Sequence, residues 1–181
     1  MSAEATLQRF VADCRTVLAK EDSAAGRERI RGLLEALLRD DAFVQKYCVE
    51  PKPALYRLHS EPAMGFEVLA HINDKPRVSP PHDHGDSWAI YGQATLHTDV
   101  TEWTRTDDGS DPGRASLLPI KTYRLTPGHA ATFADGMIHS IDYPEKSCFV
   151  RVTGTNLDEI RRAMFDPKAG SVKQMTPQRA T

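Results

Sequence analysis

Leu7, Phe10, Val11, Cys14, Val17 and Leu18 recur at spacings of three and four, the period that lines one face of an α-helix. The period returns in Ile30, Leu33, Leu34, Leu37 and Leu38, which predicts a second helix over residues 23–39. Gly26 and Gly32 weaken that helix, since glycine costs about 1 kcal/mol in a helix interior. A short third helix is expected over residues 42–47, stopped before Pro51 and Pro53, which cannot continue it.

From Leu55 the period shortens. Apolar and polar residues alternate in short runs at 56–58, 66–71, 87–96, 123–125, 131–133 and 149–153, separated by Gly, Pro, Asp and Asn. Many short strands with frequent turns predict an antiparallel barrel or sandwich. The stretch Thr106-Asp107-Asp108-Gly109-Ser110-Asp111-Pro112-Gly113 reads as a surface loop or hairpin. A last short helix is expected over 156–165, capped by Asn156 or Thr155, followed by a loosely held tail containing Pro167, Gly170 and Pro177. The expected organisation is one domain, 1–181: a helical layer over 3–50, a β-barrel over 54–154, and a short helix and tail over 155–181.

Composition narrows the partners more than the fold. The chain has 181 residues, 40% hydrophobic and 27% charged, with a formal net charge of -2. That balance gives no reason to expect nucleic acid or an anionic membrane as a partner. No apolar run approaches the roughly 20 residues of a membrane span, and Met1-Ser2-Ala3-Glu4 has no basic-then-apolar secretion signal. Cys14, Cys48 and Cys148 are widely spaced and odd in number, so reduced thiols in a cytoplasmic protein are expected.

The chemistry-bearing feature is Pro81-His82-Asp83-His84-Gly85. Two imidazoles two residues apart on a strand face the same way, and a third from a distant strand, His139, can complete a metal site. No phosphate loop, nucleophile elbow or paired-cysteine zinc pattern competes with it. A chance His-x-His pair is the bland alternative in a chain with 7 histidines. His59, His71, His97 and His129 are left outside the metal set. Asp135 or Glu102 could accept a hydrogen bond from a ligating imidazole, against the default readings of a turn residue and an exposed carboxylate.

The His82/His84 run, the Pro127-Gly128 turn and Ile138-His139-Ser140-Ile141 together resemble the cupin superfamily. With Asp86-Ser87-Trp88 they look most like its cysteine-dioxygenase-type thiol dioxygenases, over roughly residues 55–154. The resemblance implies a cupin-type double-stranded β-helix, an antiparallel β-barrel, with N-terminal helices. It also implies Fe(II) on His82, His84 and His139, and oxidation of a small thiol carboxylate to its sulfinate by dioxygen. The glutamate that many cupins place after the second histidine is replaced by Trp88 and Ala89, which fits the all-histidine form.

Arg57 aligns with an early-strand arginine that binds the substrate carboxylate in that family; a strand-edge ion pair is the plain alternative. Other positions depart from the pattern. Ala89 cannot form the thioether of the animal enzymes, and Phe149, Arg151 and Thr153 stand where many members carry Ser-x-His-x-Tyr. Arg151 either brings a positive charge into the pocket or is solvated, depending on a one-residue register. Trp88 is a candidate cavity wall or a core residue, and Tyr91 and Tyr143 are weaker cavity candidates. Two further readings stay open. One is another metal-dependent cupin oxygenase or isomerase acting on a non-thiol organic acid; the other is a non-catalytic small-ligand-binding barrel.

Overall fold

The computed structural model describes residues 1–177. Helix α1 (Ala3–Lys20) starts where the Ser2 side chain accepts a hydrogen bond from the Ala5 amide, satisfying one of the free donors of the first turn. Ser23 does the same for Gly26 at the start of α2 (Ala24–Leu37), and Asp40 for Phe43 at the start of α3 (Asp41–Val44). A wider π-turn over Gln45–Val49 continues α3 before the chain turns at Pro51. Among the described residues no helix is long and apolar enough to cross a membrane.

Nine strands follow in chain order: β1 (Ala54–Ser60), β2 (Glu67–Ile72), β3 (Arg77–Val78), β4 (Ala89–Thr95), β5 (Thr98–Arg105), β6 (Leu117–Leu125), β7 (Ala130–Phe133), β8 (Ile138–Tyr143) and β9 (Cys148–Thr153). A 3-10 turn over Leu157–Glu159 leads into a final hairpin, β10 (Arg162–Asp166) and β11 (Ser171–Met175). All pairings are antiparallel. One sheet runs β1-β2-β9-β4-β7 and the other β3-β8-β5-β6.

Alternation along the first sheet explains both of its faces. Val68, Ile90, Ala94, Val150 and Val152 join Leu7, Phe10, Ile30, Leu34 and Leu37 of the helices in one buried cluster. Their neighbours Ala89, Tyr91 and Phe149 point the other way, into a second cluster with Val100, Leu125, Ile141 and Tyr143 of the other sheet. β4 is therefore buried on both sides, which is why it reads as a nearly continuous apolar run. At Gly92 a Cβ would lie 2.4 Å from Leu38 Cδ1 and 2.8 Å from Leu34 Cδ2, so glycine lets α2 sit directly on the sheet. The result is three layers: helices, five strands, four strands.

Mainly β structure with N-terminal helices agrees with the sequence reading, but the expected β-barrel does not form. Among the described residues the sheets end on β1 and β7, and on β3 and β6, and no ladder closes them into a barrel. They are held face to face by the Tyr91, Phe133, Phe149, Ile141 and Tyr143 side chains instead, as in a sandwich. The alternation specifies which residues turn inward; it does not specify whether the edges meet.

The expected helix over 156–165 is also corrected. Asn156 does accept a bond from Asp158, but only the single turn Leu157–Glu159 follows. Arg162–Asp166 is then extended, because the Phe165 amide donates to Pro81 O and Asp83 trades bonds with Ala163. The expected loose tail is in part the ordered strand β11, paired from Ser171 to Met175; its last residues, 178–181, lie outside the described residues. The loop over 106–113 does join β5 to β6, with Asp107 accepting from the Gly109 and Ser116 amides. Cys14, Cys48 and Cys148 are free and buried, and burial pushes the Cys14 thiol up to about 12.

Candidate metal centre

His82 forms no long strand of its own. It bridges two elements, β8 through His139 and β10 through Met164, in antiparallel contacts. The His82 amide donates to His139 O at 2.9 Å and the His139 amide donates to His82 O at 3.0 Å, so the backbone itself sets two imidazoles side by side. Gly85 makes the turn after His84 possible. It has a φ of 58°, and a Cβ there would fall 2.0 Å from Arg161 O, so only glycine fits without displacing that backbone.

One nitrogen from each of His82, His84 and His139 lies within 4.8 Å of the other two. The rings of His82 and His139 are 4.6 Å apart, and those of His84 and His139 4.8 Å. His82 Nδ1 donates to Pro80 O at 2.9 Å, and His139 Nδ1 to Met137 O at 3.3 Å. A carbonyl only accepts, so both protons sit on Nδ1 and both Nε2 lone pairs are free. His139 Nε2 is buried without a partner, an arrangement that costs free energy unless something binds there. His84 Nε2 lies 3.1 Å from the Tyr91 hydroxyl, while its Nδ1 is buried and unpartnered.

Burial is the first reason these imidazoles stay neutral. It pushes His84 well below the usual histidine range, with His139, His82, Arg151 and Arg162 adding to the effect. His139 is lowered to about 3 by burial and then by His82 and Arg151. Burial also lowers His82, although its bond to Pro80 opposes the shift. Neutral imidazole is the form that binds a metal. Three neutral nitrogen donors with no carboxylate suit a transition metal better than calcium or magnesium, without distinguishing iron from zinc, cobalt or nickel.

A cavity of about 260 Å³ opens from His82. Tyr91, Phe149 and Arg151 line it from the five-stranded sheet, Ile141 and Tyr143 from the other sheet, and Arg162, Met164 and Met175 from the final hairpin. The register that sequence left undecided therefore turns Arg151 inward. The Arg151 Nε is buried without a hydrogen-bond partner. Thr153 is fully buried and donates to Thr155 O at 2.8 Å.

Other candidates are placed elsewhere. Arg57 is ion-paired with Glu67 at 3.1 Å and does not line this cavity. Trp88 packs in the helix-facing core, 5.9 Å from the Arg27 guanidinium, rather than on the cavity wall. Asp135 pairs with Arg27 and Glu102 with Lys121, so backbone carbonyls, not carboxylates, orient His82 and His139.

Sequence reasoning missed Arg77, Arg162, Met164 and Met175 as cavity residues. The alternation of Arg162, Ala163, Met164 and Phe165 was a usable strand signal, outweighed by the Asn156 cap. Tyr91 was underweighted: its hydroxyl supplies a phenol beside the imidazoles, from β4 rather than from the last strand of the sheet.

No protein-family model and no curated protein matches the chain. Part of it is similar to the solved structure of KdgF from Halomonas sp., 17% identical over 55% of this chain and 74% of that one, with a TM-score of 0.41. The DMSP lyase DddQ from Ruegeria pomeroyi DSS-3 is 15% identical over 64% of this chain and 52% of that one, TM-score 0.45, so the chain spans about half of it. The Cnp3 cupin domain of Schizosaccharomyces pombe is 11% identical over 60% of this chain and 67% of that one, TM-score 0.43. These partial likenesses settle neither the family nor the reaction, and none of them singles out the cysteine-dioxygenase-type enzymes.

Proposed function

We propose that the chain is a metal-dependent enzyme of cupin type that acts on a small organic acid in the cavity beside His82, His84 and His139. The observation that carries this reading is the convergence of three neutral imidazoles, His84 and His139 buried and His82 half-buried, in a cavity that also holds the unpartnered Arg151 Nε. A divalent metal on these histidines would supply Lewis acidity and, if it were iron, a redox couple for dioxygen. Arg151 binds the substrate carboxylate through paired N–H donors and so fixes which end of the molecule faces the imidazoles. Tyr91, stacked on Phe149 at 5.4 Å, holds its hydroxyl where it can donate to or accept from the reacting end. Ile141, Phe149, Met164 and Met175 supply the apolar part of the wall, beside which a contact to Arg151 is less screened than in water.

A second reading keeps dioxygen and Fe(II) but makes the acid a thiol, oxidised to its sulfinate. The absence of a carboxylate from the ligand set favours it, since a soft anionic thiolate then meets more positive charge. Arg57 does not serve this reading, because Glu67 already neutralises it; the acid group would fall to Arg151.

The test is metal content and oxygen uptake by protein loaded anaerobically with Fe(II), over a panel of small acids with and without thiols. One metal per chain, lost in His139→Ala, together with acid-dependent turnover is the expected result. Sulfinate matching the oxygen consumed would select the thiol reading. A protein that takes up no transition metal would end both.

A further inference from the structure

The cavity has a second polar end, away from the three imidazoles, and what it would bind extends the reading above and rests on it. Arg77 and Arg151 both line the cavity, and among the described residues neither has a carboxylate partner. Arg162, on the same wall, is by contrast paired with Asp158 at 3.3 Å. Among the described residues Asp83 is the one acidic side chain along the wall, and its Oδ1 already accepts from the Gly85 and Ala163 amides. His71 stacks flat on Phe149 with ring centroids 4.5 Å apart, and its Nε2 is buried with no partner.

These groups fall in a definite order. Arg151 is on β9, between β2, which carries His71, and β4, whose Tyr91 stands directly opposite it and reaches His84, so it lies between the imidazoles and His71. Arg77 pairs with Tyr143, four residues along β8 from His139, and is exposed on the short edge strand β3, which places it at the mouth. A monoanion bound at Arg151 would leave the buried His71 nitrogen without a partner and Arg77 unused. A dianion satisfies both.

We infer that the substrate is a compact dicarboxylate. One carboxylate meets Arg151 beside the imidazoles, and the second is held at the mouth by Arg77 with a hydrogen bond from the neutral His71 ring. The cavity of about 260 Å³ suits a molecule smaller than the ligands of typical ~300–1,000 Å³ pockets.

Calorimetry with succinate, glutarate and adipate, each against the monocarboxylate of equal chain length, tests this on both metal-free and cobalt-loaded protein. A charge-assisted contact predicts that the best diacid binds about 10- to 100-fold tighter than its monoacid. Arg77→Gln should bring that ratio close to one, and His71→Asn should reduce it by a smaller factor. Equal binding of diacid and monoacid at all three lengths overturns the proposal, as does a preference that Arg77→Gln leaves intact. The underlying reading fails separately. Without cobalt uptake there is no metal enzyme, yet an Arg77-dependent preference in the metal-free protein still upholds the diacid site.

Discussion

Tyr91 shows how one hydroxyl can link two parts of the site. It touches His84 Nε2 at 3.1 Å and is itself wedged between Phe133 and Phe149. Tyr91→Phe keeps the ring packing and removes only the oxygen, so it should fold normally. Metal affinity is expected to fall by about 10-fold, the scale of losing a partner that orients a ligand, measured by competition with a chromophoric chelator. Unchanged affinity would mean that the hydroxyl serves substrate alone. At this scale the sequence was most informative where the chemistry is short-range. His82 and His84 were legible because strand alternation puts them on one side, and His139 because it follows a second turn-rich segment. Arg57 and Arg151 were not separable, since each is an arginine on a predicted strand. Only the pairing partners, Glu67 for one and the cavity for the other, distinguish them.

Among the elements, the final hairpin is tied to the histidine segment by Asp83. Its Oδ1 accepts from the Ala163 amide at 2.8 Å and from Gly85 at 3.0 Å, and its own amide donates to Ala163 O at 3.1 Å. Asp83→Ala strips both amides of their acceptor, at a cost of about 1–3 kcal/mol for each one left buried. Hydrogen exchange at Ala163 and Phe165 should accelerate while α1 and α2 stay protected; uniform protection would show that the hairpin is held by other contacts. Gly85→Ala attacks the same junction from the backbone side, because its Cβ meets Arg161 O. The expected loss is about 2 kcal/mol or more, read by urea denaturation, from strain at positive φ plus the clash. The helices were readable from their 3.6-residue period alone. β8 and β10 were not. The strand carrying His139 was expected without bounds, and the alternation over Arg162–Phe165 was outweighed by the Asn156 cap, although hydrogen bonds to residues some eighty positions earlier hold that segment extended.

For the whole molecule, the three layers place four histidines where protonation is resisted. Burial lowers His71, His82, His84 and His139, the last to about 3. Below the unfolded value of roughly 6.5, the unfolded chain takes up protons that the folded chain refuses, so stability falls as pH drops. Each such histidine contributes a slope of about 1.4 kcal/mol per pH unit. The metal-free protein should hold a steady urea midpoint from pH 8 to 7 as far as these groups are concerned, then lose stability steeply between pH 6 and 4. A flat profile would show that the imidazoles protonate within the fold. The open edges of the two sheets add a consequence of another kind. Without a closed ladder, the two sheets are joined by side-chain packing, and the backbone bridges at His82 tie the histidine segment to β8 and to the final hairpin. An ion on His82, His84 and His139 would act as a rivet between the histidine segment and β8, binding the folded chain and not the unfolded one. At a free concentration 100 times its dissociation constant it would add about 2.7 kcal/mol, so occupancy should be readable as a rise in melting temperature that a chelator reverses.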